Sequence, residues 1–260
     1  MASNGKAKQE SFKRIKTILV SQPKPERSPY YELEKKYNLT IDWRQFIQVE
    51  KVEVREFRRT RIRPDEYSAI IFTSKNAIDH FFRMCEELRV SMSQDTRYFC
   101  LTEAIANYLQ KFIVYRKRKV FIGVRKIIDL STPLNKFKAT EKFLLPCSNL
   151  GAKEVARYLD ENEFDWQEAM MYRTVSSDLS DLSDVKYDVL VFFSPLGITS
   201  LYENFPDFIQ DETRLAIFGN ATSKAVEDKG LTINIKAPAE AVPSMTTALQ
   251  NYLQVSNKDA

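Results

Sequence analysis

Histidine is nearly absent from this chain: His80 is the only one in 260 residues. A Ser-His-Asp triad, a His-ligated zinc site and a two-histidine iron site are thereby disfavoured together. Glycine is almost as scarce, with Gly5, Gly123, Gly151, Gly197, Gly219 and Gly230 the full set. Neither G-x-G-x-x-G nor G-x-x-x-x-G-K-[ST] can be written from them, so the usual dinucleotide and P-loop cradles are missing. The expectation is a protein with no cofactor and no metal. Cys85, Cys100 and Cys147 are odd in number and far apart, which reads as three reduced, buried thiols in a cytoplasmic protein rather than a disulfide framework. No apolar run approaches the ~20 residues of a membrane span, and no charged-then-apolar pattern ending in a small-residue cleavage site is seen, so a cleavable leader is not expected. Residues 1–14 read as a solvated, disordered leader, and no membrane association is expected.

What remains is an ordinary soluble composition, 43% hydrophobic and 28% charged, with enough apolar mass for sizeable cores. The net charge of +4 is mild but unevenly spread. Arg55, Arg58, Arg59, Arg61 and Arg63 form one basic cluster; Arg116, Lys117, Arg118, Lys119, Arg125 and Lys126 form another. Such clusters serve as solvated faces, or as surfaces for nucleic acid or an acidic small molecule. There is no helix-turn-helix, RRM signature or aromatic–glycine interleaving, so nucleic acid is not the expected partner.

The chain repeats itself. Tyr67-Ser68-Ala69-Ile70-Ile71-Phe72-Thr73-Ser74 matches Tyr187-Asp188-Val189-Leu190-Val191-Phe192-Phe193-Ser194 at a spacing of 120 residues, and Arg97–Leu101 matches Arg214–Phe218 at 117. A second pair of copies joins Ile18-Leu19-Val20-Ser21 to Phe143-Leu144-Leu145-Pro146, and Asp42-Trp43 to Asp165-Trp166. Fixed spacing of this kind marks a tandem duplication. Short unbroken apolar runs, each followed by a Ser, Thr or Gly and then a helical pattern, predict parallel strands covered on both faces. Strands are expected at residues 15–21, 39–47, 68–73, 98–101, 120–124, 142–145, 166–172, 189–193, 215–218 and 233–236. Helices are expected at 28–37, 76–88, 103–110, 125–130, 152–161, after the turn at 194–197, after that at 219–222, and at 244–254. Residues 48–63 alternate Val52, Val54 and Phe57 with charges and read as an exposed ribbon, 146–149 as a turn, and 174–185 as a polar return linker. In such sheets ligands gather where strands end and helix N–H groups are free.

Read in order, VFFSPLGITSLYENF, AIFGNATSKAVEDKGL and APAEAVPSMTTALQNYL resemble the C-terminal third of uroporphyrinogen-III synthases. AIIFTSKNAIDHFF resembles their other strand–Ser–helix repeat, and LLPCSNLGAKEVARYLDENEFDWQEAMMYRTV their segment ending in a Tyr-Arg pair. The resemblance spans about residues 15–253. The chain departs from the common pattern at Ser21-Gln22-Pro23, Cys147-Ser148 and Gly219-Asn220-Ala221-Thr222, where many relatives carry T-R-P, R-G and G-P-T-T.

The resemblance implies an α/β fold of two interleaved domains, each a parallel sheet flanked by helices, with a cleft between them. Residues 1–51 and 173–260 would form one domain and 52–172 the other. It implies a monomeric, cofactor-free lyase that cyclises hydroxymethylbilane to uroporphyrinogen III with loss of water and inversion of the last pyrrole ring. Tyr172 resembles the family tyrosine that serves as acid; a strand-end tyrosine with only a structural role is the other reading. Substrate contacts are expected at Ser21, Gln22, Thr73, Ser74, Lys75, Asn76, Ser148, Ser194, Pro195, Leu196, Gly197, Gly219, Asn220, Ala221 and Thr222. Ser74, Ser194 and Thr222 also suit helix N-caps. Turn backbone N–H groups would hold the substrate's carboxylates, so a bulky residue at Gly219 is expected to cost more than truncating a polar side chain. His80 reads as a surface or core-edge residue. The competing reading from another class is a non-catalytic two-lobed binder of an acidic small molecule.

Overall fold

Two of the duplicated runs, AIIF at Ala69–Phe72 and VLVF at Val189–Phe192, are buried at every position, as strands covered on both faces must be. The computed structural model describes residues 12–182 and 184–258, so residues 1–11 of the expected leader lie outside the described residues. The strands, in order, are β1 Thr17–Val20, β2 Thr40–Trp43, β3 Ile47–Lys51, β4 Ala69–Phe72, β5 Arg97–Cys100, β6 Val120–Ile122, β7 Phe143–Ser148, β8 Trp166–Ser176, β9 Val189–Phe192, β10 Arg214–Phe218 and β11 Ile233–Ala237. The helices are α1 Tyr30–Tyr37, α2 Val54–Phe57, α3 Lys75–Leu88, α4 Glu103–Leu109, α5 Ser131–Phe137, α6 Lys153–Glu161, α7 Pro195–Asn204, α8 Asn220–Glu227 and α9 Met245–Ser256. The α/β class and the helix-flanked parallel sheets expected from the sequence are present.

The chain divides into two compact units, one comprising everything up to Gln48 and from Val175 onward, the other Val49–Thr174. The first holds a five-stranded sheet in the order β11-β10-β9-β1-β2, parallel throughout. One face packs Ile18, Val20 and Val191 against Leu33 of α1 and Leu249 and Leu253 of α9. The other packs Leu19, Leu190 and Ile217 against Ile198 and Leu201 of α7 and Val226 of α8. The second unit holds the order β3-β8-β7-β4-β5-β6, and β4, β5, β6, β7 and β8 pair in parallel. Ile70, Phe72 and Cys100 meet Phe81 and Met84 of α3 on one face; Ile71, Phe99 and Leu145 meet Leu134 of α5 and Leu159 of α6 on the other. All three cysteines are free and buried, and burial pushes the Cys85 and Cys100 thiols up to about 12.

Several elements differ from the sequence reading. Residues 39–47 do not form one strand. The Arg44 amide still bonds the Val20 carbonyl at 3.1 Å, but Phe46 then turns inward, T-shaped against Phe192, and β3 joins the other sheet. Residues 48–63 are not an exposed ribbon: β3 leads into α2 and a 3-10 turn at Arg58–Thr60. Val52 and Val54 fit an alternation, but Phe57 stands three residues after Val54, a helical spacing that a period of two does not accommodate, and Phe57 and Ile62 are buried. Pro146–Ser148 continue β7 instead of turning, because pairing with β4 covers only Phe143 and Leu144 and a proline beyond them costs no bond on that side. The helix expected at 125–130 is a 3-10 turn at Ile127–Leu130 that runs into α5. Pro133 lies in the first turn of α5, where an amide has no intrahelical acceptor anyway. Residues 174–176, expected in the linker, extend β8.

The start of β1 is pinned from both sides. Asp188 Oδ2 accepts from the Lys16 and Thr17 amides at 2.7 and 2.9 Å. The buried Asn257 side chain closes a ring with Ile15, accepting from its N–H at 3.0 Å and donating to its C=O at 2.8 Å. Asn257→Ala strands both backbone groups in the interior, where each unmet group costs about 1–3 kcal/mol. Urea unfolding followed by circular dichroism is expected to show a loss of about 2–4 kcal/mol for this variant; a midpoint equal to wild type would show that water replaces the amide.

Candidate functional site

In a parallel sheet the residues that follow each strand collect along one edge, and helix N-termini open onto it. In the first unit that edge brings together Ser21 after β1, Ser194-Pro195-Leu196-Gly197 after β9, and Gly219-Asn220-Ala221-Thr222 after β10, on three adjacent strands. Ser21 is buried and its amide donates to Val191 O at 3.0 Å, while Gln22 is exposed. Ser194 caps α7, its Oγ accepting from Gly197 N at 3.3 Å. At Gly197 a Cβ would meet Phe192 Cδ1 at 3.0 Å, so a side chain there would need the Phe192 ring to give by a few tenths of an ångström. Pro195 is exposed and Leu196 half-buried.

Gly219 precedes α8 with φ +87° and ψ 152°, a conformation essentially confined to glycine. No side chain caps α8, so its first amides point outward without an intrahelical acceptor. Asn220 and Ala221 are exposed. Thr222, expected as a cap, is instead 2% exposed in the first turn of the helix.

In the second unit the corresponding edge holds Thr73-Ser74-Lys75-Asn76 after β4, Ser148 at the end of β7, and Tyr172 in β8, again on three adjacent strands. Ser74 caps α3, its Oγ accepting from Ala77 N at 3.1 Å, and the same Oγ lies 3.2 Å from Tyr172 Oη. Tyr172 therefore reaches across the end of β7 to touch Ser74. Ser148 Oγ accepts from Leu150 N at 3.2 Å. Thr73 is half-buried; Lys75 and Asn76 are exposed, and the Lys75 ammonium lies 5.5 Å from the Tyr108 ring centre. Cys147, beside Ser148, is no nucleophile: burial and the Glu168 carboxylate push its thiol far up.

Tyr172 is 7% exposed. Burial raises its phenol above the ordinary value and the Ser74 hydroxyl pulls it partly back, so it stays protonated at neutral pH. Two residues of α3 that the sequence does not mark as site members complete its surroundings. The His80 ring stacks on Tyr172 with centroids 4.9 Å apart and planes at 16°. Its Nδ1 is buried without a hydrogen-bond partner, and burial, together with the Arg83 charge, holds its pKa below the usual histidine value. Arg83, one turn on, donates to Met171 O at 3.1 Å and Val52 O at 3.0 Å, and to Glu87 at 2.8 Å. The available sequence signal is spacing: 77, 80 and 84 fall on one helix face, and Ala77 and Met84 are core residues.

A third loop shows what strand-end amides do here. After β6, the N–H groups of Val124, Arg125 and Lys126 all donate to Asp129 Oδ2, at 3.2, 2.8 and 2.8 Å. They hold that carboxyl well below the usual carboxylate range. Backbone donors alone thus grip a carboxylate at a strand end of this fold. Among the described residues no group of three or more His, Cys, Asp or Glu could hold a metal ion, and no helix is long and apolar enough to cross a membrane.

The family profile described as Uroporphyrinogen-III synthase HemD matches residues 45–247. The uroporphyrinogen-III synthase of Chlorobaculum parvum is 23% identical over 255 residues, covering 92% of this chain and all of that protein. Among solved structures, the uroporphyrinogen-III synthetase of Helicobacter pylori superposes with a TM-score of 0.59 at 17% identity, over 93% of this chain and all of its own. A mutant uroporphyrinogen III synthase of Thermus thermophilus gives 0.58 at 14% identity, over 94% of this chain and all of its own.

Because His80 is the only histidine, its imidazole can be followed by NMR without assignment. It is expected to titrate below the model-peptide value of about 6.5, and Arg83→Gln should move it upward. The sign for stability follows: between the folded pKa and about 6.5 the unfolded chain binds the extra proton. His80 therefore makes the fold less stable as pH falls through that window, and His80→Phe should flatten this part of the pH profile.

Proposed function

The chain belongs to the uroporphyrinogen-III synthase family, and on that premise we propose how it acts as a cyclising lyase on hydroxymethylbilane, with Tyr172 as general acid. The supporting observation is the 3.2 Å contact between Ser74 Oγ and Tyr172 Oη. Ser74 Oγ already accepts from the Ala77 amide, which leaves its own proton free to point at the phenol oxygen. Tyr172 is then free to give its proton to the terminal hydroxyl of the substrate. The hydroxyl leaves as water, and a pyrrole nitrogen spreads the positive charge of the azafulvene that forms.

A weak acid is sufficient because the pyrrole supplies the push. The raised pKa of the buried phenol keeps it loaded at neutral pH. The phenolate left behind is stabilised by the Ser74 hydroxyl and by the cationic azafulvene. Neutral His80, stacked on the ring, fixes the plane of the phenol without introducing a positive charge that would repel that cation. Arg83 holds the carbonyl of Met171 and so sets the backbone from which Tyr172 projects.

The remaining task is to hold a flexible polyanion bent so that the correct carbon of the last ring is attacked, which is a matter of positioning. The uncapped amides at the start of α8 are offered to a carboxylate of the substrate as those after β6 are to Asp129. The free, buried cysteines fit a reducing, cytoplasmic setting, and the protein acts as a monomer.

Tyr172→Phe keeps the ring that stacks on His80 and removes only the hydroxyl. General acid assistance is worth ~10²–10⁴ in rate. In an assay coupled to a hydroxymethylbilane source, kcat is expected to fall at least about a hundredfold, with KM and Tm little changed and isomer I appearing by spontaneous closure. Near-normal turnover would leave Tyr172 a positioning residue. Backbone binding gives a second expectation. Asn220→Ala should raise KM by no more than about 1 kcal/mol equivalent. A Cβ at Gly219 meets nothing within 4 Å, so Gly219→Val should act by straining φ, about 1–3 kcal/mol, and by intruding where carboxylates approach. Equal KM effects from the two variants would contradict a backbone-built site.

A further inference from the structure

Tyr172 faces α3 because the ladder between β7 and β8 slips. From Phe143 opposite Trp166 to Cys147 opposite Met170 the two strands advance together, but Ser148 then stands opposite Tyr172. Strand β8 therefore carries one residue more, Met171. Successive side chains of a regular strand point to opposite faces, yet Met171 and Tyr172 are both buried in the core cluster that holds Phe81 and Met84 of α3. Among the described residues, the cluster on the other face, packed by α5 and α6, contains neither. An extra residue of this kind re-aims the side chains beside it. Without it, the alternation that puts Ala169 and Met171 on the α3 face would send Tyr172 to the other, away from Ser74 and His80.

Such a slip has to be held on both sides. On the near side the Met171 carbonyl accepts from the Val52 amide and from the Arg83 guanidinium, both at 3.1 Å. On the far side β7 has already turned away, with Gly151 N donating to Ser148 O at 2.9 Å and Leu150 N to Ser148 Oγ at 3.2 Å. Strand pairing ends at Ser148, and the Asn149 side chain takes its place. Its Oδ1 accepts from the Thr174 N–H at 2.8 Å and its Nδ2 donates to the Thr174 C=O at 3.2 Å. These are the bonds a neighbouring strand would have offered. Tyr172 thus lies between two clamps, Arg83 on residue 171 and Asn149 on residue 174.

We propose that Asn149 is a positioning residue: its side-chain amide locks the slipped register of β8 and so holds the Tyr172 phenol against Ser74 and His80. Its effect on turnover rests on the reading of Tyr172 as the acid, whereas its effect on the place of the ring does not. Asn149 touches neither the phenol nor His80; it acts through the backbone of Thr174.

His80, the only histidine, reports the ring directly, since the aromatic neighbour stacked on it displaces its NMR signals by ring current. Tyr172→Leu removes that neighbour and marks the end of the scale. Asn149→Ala is expected to move the His80 signals away from wild type toward the Tyr172→Leu position. It should also lower kcat about tenfold with KM little changed, since misplacing a catalytic group costs rate. Asn149→Asp keeps the acceptor for the Thr174 amide and should recover part of both effects. Both bonds to Thr174 lie at the surface, where water can replace the amide, so the Tm of either variant should fall little. In a Tyr172→Phe background, Asn149→Ala should lower kcat by less than about twofold more, as expected of two residues acting through one group. The proposal is overturned if the His80 signals of Asn149→Ala coincide with those of wild type, or if its loss of kcat is undiminished in the Tyr172→Phe background. Displaced signals with an unchanged kcat would uphold the positioning and overturn the acid role of Tyr172, so the two readings fail separately.

Discussion

Parallel pairing is the constraint on which the rest depends. Once β10, β9, β1 and β2 run the same way, and β8, β7, β4 and β5 likewise, every carboxyl end in a unit falls on one edge. The helices that follow must then begin at that edge. Amide donors accumulate there without any charged side chain. This is how a chain with one histidine and six glycines gathers backbone donors along an edge without a glycine-rich loop. The Asp129 loop shows such a nest at work inside the protein, three consecutive amides on one oxygen.

Around Tyr172 a single helix supplies most of the control. Ser74 at the start of α3 sets the hydrogen bond to the phenol, His80 lies against the ring, and Arg83 clamps the backbone one residue before it. Because these three are rigidly spaced on one element, the orientation of the phenol is set by the packing of α3 on its sheet through Ala77, Ile78, Phe81 and Met84. Core packing and the orientation of the phenol are therefore coupled, and a small tilt of α3 would disturb all three contacts together.

The fold is legible in the sequence largely because of the duplication. Runs such as AIIF and VLVF have one sensible reading, and the matching spacings show where each strand–Ser–helix unit recurs. Legibility ends where local patterns are ambiguous. Val52 and Val54 suggest a ribbon while Phe57 breaks that period and suits a helix, Pro146 signals a turn yet lies in β7, and Pro133 hides α5. Among site residues, Ser74 and Ser194 as caps can be read from position alone. Thr222 cannot, since Gly219, not a side-chain cap, begins α8. His80 escapes notice because its role comes from β8, some ninety residues further along, and a helix pattern alone does not say which strand a face will meet.

The place of β1 has a consequence for how the protein is made. The strand sits inside its sheet between β9 and β2, and Thr17 bonds Asp188, 171 residues later. During synthesis Val49–Thr174 is complete and can close its own sheet before β9 has left the ribosome. Throughout that time β1, the apolar run TILV, has one neighbour and an open edge of the kind that recruits foreign strands. A strand translated before the whole Val49–Thr174 unit is thus among the last to be secured, and until residue 188 emerges its open edge stays exposed to mispairing.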